Sequence, residues 1–136
     1  MKKLYLFCLL MPVLLSCSKA EIRNGLIGDW DYGYEIRERK ADGSWDEWHT
    51  IQTYVLVPGV SFTTDGRLLY GGETSTACCT FKKYSLKDDV IKLQDLVSCP
   101  YVDCAYCDEW KVISLEDNVL ILEKCDIIQE KYTRAQ

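Results

Sequence analysis

A chain of 136 residues, 27% of them charged, has room for one domain with one modest core. Its net charge of -5 at pH 7 speaks against nucleic acid and against electrostatic adhesion to anionic lipid, since both call for a basic surface. Neither a phosphate-cradling glycine loop nor a hydrolase signature occurs, so the expectation is a non-catalytic protein without a cofactor.

In chain order, Lys2 and Lys3 open a positive start, Leu4 to Leu15 is an almost unbroken apolar run, and Leu14-Leu15-Ser16-Cys17 follows. The run is too short to span comfortably as a mature helix. This arrangement resembles a secretory signal ending in a bacterial lipobox. The resemblance implies removal of residues 1–16, a lipid-bearing Cys17 and attachment to an outer membrane, on its periplasmic face or at the cell surface. Loss of two lysines makes the mature protein more acidic, at -7, so attachment rests on acyl chains alone. Residues 17–25 then read as a short polar linker, of which Ser18 to Asn24 spans at most about 24 Å, and residues 26–136 as the domain.

The domain opens on Leu26 to Ile36, where apolar, aromatic or glycine residues (Leu26, Gly28, Trp30, Tyr32, Tyr34, Ile36) alternate with mostly polar ones, the pattern of a strand with one wet face. An Asp42-Gly43 turn predicts a return strand over Trp45 to Val57 with both faces partly covered. Pro58-Gly59 breaks it. Val60 to Thr64 and Arg67 to Tyr70 read as a hairpin about Asp65-Gly66. Further strands are expected at Ala77 to Leu86, Val90 to Leu96, Glu109 to Leu115, Val119 to Lys124 and Ile127 to Arg134. The one long irregular stretch is Val97 to Asp108. About eight short strands joined mostly by tight turns, with no helical period beyond the signal, predict an all-β fold: an antiparallel up-and-down barrel, with a β-sandwich as the alternative.

Several short motifs sharpen this. Gly28-Asp29-Trp30 on the first strand, Phe62-x-x-Asp65-Gly66-Arg67 at the early hairpin, the run from Trp110 to Leu122 and a closing Tyr132-x-Arg134 together resemble the lipocalin-like domains of the calycin group found on small bacterial lipoproteins. The resemblance implies that Arg134 lies over Trp30 and closes the barrel base by packing and a cation-π contact. It further implies ligand binding inside the barrel. Unlike longer lipocalins, the chain lacks an obvious C-terminal helix and is rich in cysteine.

Besides Cys17, the mature chain holds Cys78, Cys79, Cys99, Cys104, Cys107 and Cys125. An even number in an exported chain implies disulfides, and six cysteines allow fifteen connectivities. A hairpin centred on Lys87 to Asp89 sets Cys78 roughly opposite Cys99, and one centred on Glu116 to Asn118 sets Cys107 near Cys125, leaving Cys79 with Cys104. A one-residue slip exchanges Cys78 and Cys79. The competing readings are a zinc site built on Cys99, Cys104 and Cys107, and a redox pair Cys104-Ala105-Tyr106-Cys107.

Tyr32, Tyr34, Phe62 and Leu120 are the candidate contacts for a small hydrophobic ligand in the barrel; Gly28, Trp30 and Arg134 are the structural signature. The alternative function is a protein-interaction or inhibitor module with a filled barrel, working through the cysteine-rich loop 97–108 with its Tyr101 and Tyr106. An enzyme would need converging polar groups of perturbed pKa inside the barrel. Asp46, Glu47 and His49 read as a solvated strand start, and Asp88-Asp89 and Asp117-Asn118 as turn residues rather than calcium ligands.

Overall fold

Strands account for most of the regular structure in the computed structural model, which describes residues 21–105 and 107–136. They are β1 (Gly28–Glu38), β2 (His49–Thr50), β3 (Val60–Phe62), β4 (Leu68–Tyr70), β5 (Phe81–Lys87), β6 (Val90–Leu96), β7 (Glu109–Glu116), β8 (Val119–Lys124) and β9 (Ile128–Arg134). The expected signal peptide, Cys17 and Tyr106 lie outside the described residues.

Hydrogen bonding runs β4-β3-β1-β9-β8-β7-β6-β5, with β2 paired to the far half of β1. Every pairing is antiparallel, and each barrel strand but two neighbours the next in sequence, as in an up-and-down meander. The first and last strands close the ring, Trp30 opposite Arg134 and Tyr32 opposite Tyr132. Between β4 and β5 ladder pairing thins to an Arg67 to Lys83 bridge and a bond from the Tyr84 N–H to the Gly66 carbonyl, helped by side-chain bonds from the Phe81 N–H to the Tyr70 hydroxyl and from the Tyr84 hydroxyl to the Thr63 carbonyl. The fold is a nearly closed, eight-stranded antiparallel barrel.

Alternation sends one face of each strand inward. Leu120 and Leu122 on β8, Trp110 and Val112 on β7, Ile91 and Leu93 on β6 and Phe62 on β3 join Trp30 and Tyr132 in one buried cluster. A register shift between Val112 and Ser114 keeps β7 in phase with this interior: Leu115 pairs with Leu120 and packs on the core, while Ile113 is left partly exposed. A second shift, between Tyr32 and Ile36, carries Tyr34 with φ 56°.

Three stretches differ from the sequence-based expectation. Residues 21–26 are helical, and Leu26, expected to open the first strand, is fully buried with Ile22 packed on the same cluster. The expected strand over Trp45 to Val57 shrinks to His49–Thr50, and Tyr54, Val55 and Leu56 project into solvent. Strand β5 begins at Phe81 rather than Ala77, because Cys78 and Cys79 belong to a turn.

The two ends of the barrel are unlike. At the base lie the short turns 63–67, 88–89 and 117–118 and the helical residues 21–26. At the rim lie the β1–β3, β4–β5, β6–β7 and β8–β9 connections. All three disulfides, Cys78–Cys99, Cys79–Cys104 and Cys107–Cys125, staple the rim, in the pairing expected from hairpin geometry. These bonds use the sulfurs that a zinc site would need.

Candidate functional site at the rim

The base is a plug. The Trp30 indole N–H donates to the Leu26 carbonyl at 2.9 Å, and the Arg134 guanidinium sits 4.1 Å from the centre of the Trp30 ring. Arg134 also donates to the carbonyls of Ile27, at 3.0 Å, and Gly25. Gly28 has φ 127°, and a Cβ there would stand 2.5 Å from Arg134 Nη1, so the position requires glycine. The signature residues thus meet, and they seal one end of the barrel.

Above the plug the interior is occupied. Phe62 and Leu120 are 1% and 0% exposed, and Phe62 packs edge-on against Tyr84 with centroids 5.0 Å apart. An eight-stranded barrel is just wide enough for its own side chains to fill. Tyr32 and Tyr34 are half-buried and stack edge-to-face at 5.1 Å, while Tyr32 meets Tyr132 at 5.4 Å. The Tyr34 hydroxyl accepts a bond from the Val57 N–H, tying the loop after β2 to β1. Of the four expected ligand contacts, the structure therefore brings Tyr32 and Tyr34 together towards the rim and sets Phe62 and Leu120 in the core. Surface clefts among the described residues, one of them about 440 Å³ beside the helical residues at the base, are lined by other residues.

Towards the rim the inward positions turn polar. Lys124, next inward after Leu120 and Leu122, and Glu130, next inward before Tyr132, lie 2.6 Å apart. Lys124 Nζ also donates to the Tyr132 hydroxyl at 2.8 Å and stands 4.2 Å from the centre of the Trp110 ring; the Tyr132 hydroxyl donates to Glu130 at 2.6 Å. Burial pushes the Tyr32 hydroxyl up to about 12, with the Glu130 charge adding to it. Burial and the same carboxylate push Tyr132 well above its ordinary value, and burial pulls the Lys124 ammonium down against the opposing pull of Glu130. The sequence reading missed these residues. Their signal was present in the parity of β8 and β9, on which Lys124 and Glu130 share the inward face with Leu120, Leu122 and Tyr132.

On the outer face the β1–β2 hairpin is pinned by stacked cations and indoles: Arg39 over Trp45 at 4.7 Å, Arg37 over Trp48 at 4.9 Å and Lys131 over Trp48 at 4.4 Å. His49 is exposed, its ring touching only the Glu47 carbonyl among the described contacts, and Asp46 pairs with Lys40 at 3.5 Å. Asp88, Asp117 and Asn118 have positive φ, the turn role expected for them. No group of three or more metal-ligating side chains gathers among the described residues.

Fold and rim together define a disulfide-braced, antiparallel β-barrel sealed at one end and elaborated at the other. Comparison with protein-family models, with curated proteins and with solved structures found no match.

Proposed function

We propose that this chain is a lipid-anchored, non-catalytic protein of a bacterial envelope that works by docking the rim of its barrel onto another protein. The observation that carries this reading is the placement of fully exposed apolar side chains, Tyr54 and Leu56 on one connection and Tyr101 on another, at the end of the barrel opposite its plug. Exposed aromatic and aliphatic tips on braced loops are what an interface core uses, whereas a ligand-carrying barrel needs an interior cavity of several hundred cubic ångströms. The interior residues that would line it are packed among themselves.

The geometry of attachment supports a partner in the aqueous phase. Cys17 precedes Glu21, the first described residue of the helical turn at the base, by four positions, a reach of at most about 14 Å, so a lipid on Cys17 turns the base to the membrane and the rim away from it. Charge narrows the partner. The four rim connections hold seven carboxylates against two basic side chains, Arg39 and Lys40, which favours a basic protein surface with apolar recesses.

The test is site-specific photocross-linking in the envelope of the producing cell, with the photoreactive residue at Tyr54, at Tyr101 or, as the base control, at Lys87. One discrete adduct from both rim positions, absent from Lys87 and lost when Asp42 and Asp46 are changed to lysine, is expected. Equal labelling from base and rim, or adducts insensitive to charge reversal, contradicts the reading. A small apolar molecule retained by the purified protein favours instead the barrel-ligand function, with Tyr32 and Tyr34 as its contacts.

A further inference from the structure

The interior ion pair has no evident structural necessity. Apolar residues such as the Leu120 and Leu122 that precede it on the same face would fill the space, and replacing a buried ion pair by packed apolar groups is often neutral or stabilising. What surrounds Lys124 Nζ is the composition of an ammonium receptor: the face of Trp110 at 4.2 Å, the Tyr132 hydroxyl oxygen at 2.8 Å, the Tyr132 ring at 5.3 Å and the Glu130 carboxylate at 2.6 Å. The receptor holds the chain's own lysine.

That occupant can leave. Lys124 is the last residue of β8, at the rim, and the side chains of Lys124 and Glu130 are 18% and 14% exposed, so water reaches the pair. Swinging the four-carbon stem outward returns its ammonium to water, and an incoming ammonium restores the neutral pairing with Glu130. The exchange conserves the charge inside the barrel, which removes the largest penalty for opening it.

We propose that Trp110, Tyr132 and Glu130 form a binding site for a primary alkylammonium group, kept closed by Lys124 until such a ligand displaces it. The site is separate from the apolar loop tips and stands whether or not those dock a protein. Its ligand chemistry has two sources, a free amine or the lysine side chain of a protein.

The experiment is a titration of the full, oxidised chain in detergent with n-butylammonium chloride and, separately, with Nα-acetyl-lysine amide, each against sodium chloride at matched ionic strength. The readout is the indole N–H signal of Trp110 by NMR, assigned with Trp110→Phe. The proposal expects a saturable shift in the wild-type protein, binding about tenfold tighter in Lys124→Ala, where the internal competitor is gone, and loss of binding in Glu130→Gln. Response to both probes admits a protein lysine as the source; response to butylammonium alone assigns the site to free amines. Saturable binding confined to Lys124→Ala identifies the lysine as a permanent plug and overturns the proposal, as does absence of binding in both proteins. The wild-type titration decides even where a variant fails to fold.

Discussion

Arg134 ties the last strand to the residues that lead into the first, and Gly28 leaves the space for it to do so. Gly28→Ala adds both a left-handed backbone penalty and a clash with the guanidinium, for an expected loss of about 3 kcal/mol in urea denaturation. In an Arg134→Ala background the clash is gone and the same change is expected to cost about 1 kcal/mol, so the double-mutant cycle reads the contact itself. Equal losses in the two backgrounds would contradict it. Tyr32 makes a second prediction. Its hydroxyl ionises near 12 in the folded protein and near 10 in the unfolded chain. The folded state therefore binds more protons between those values, and the stability this contributes is fully present below pH 10 and lost as pH rises towards 12. Urea midpoints should fall from pH 9 to pH 11, and fall less in Tyr32→Phe; an identical fall in the variant would remove Tyr32 from the account. Gly28 and Trp30 form a short local motif, whereas their contact with Arg134, remote in sequence, was expected only from the resemblance to lipocalin-like domains. The Lys124–Glu130 pair was not foreseen, because its two members sit beside a turn, where charge usually means solvent.

Strands whose one face is buried were legible in the sequence, and those whose alternation serves neither face were not. Strands β6, β8 and β9 fall close to where alternation put them. The stretch from Trp45 to Val57 has β-branched and aromatic residues on both faces, yet its ladder pairing with β1 is limited to Glu35 and Ile36, flanked by single backbone bonds to Tyr34 and Glu38, and beyond Ile51 it leaves the sheet. Residues 21–26 are too few to show a helical period, and only Ile22 and Leu26, four apart, mark their inner side. Connection 97–108 is held by two adjacent bridges to Cys78 and Cys79. With one bridge intact, the other closes a loop of only a few residues. Removing either by Cys→Ala pairs should therefore cost about 2 kcal/mol, and removing both about 5 to 6, more than the two separate losses together. Additive losses would mean that the bridges restrain the unfolded chain independently.

At the scale of the whole molecule, a seal at one end and cross-linked loops at the other give the barrel a direction. The ring was foreseeable from strand count and turn spacing, and the disulfide partners from hairpin register. Whether the interior is hollow was not, since that depends on how Trp30, Phe62, Leu120 and Tyr132 interlock across strands far apart in sequence. A filled interior moves the work of the protein to its surface, and this is the claim on which the proposed function turns. Native mass spectrometry of the full chain, made in an oxidising compartment and released from detergent, tests it most directly. The account predicts a mass six hydrogens below that of the reduced protein, for three disulfides, with no small apolar molecule retained before denaturation. An apolar adduct carried through purification and lost on denaturation would contradict it and return the function to the barrel interior.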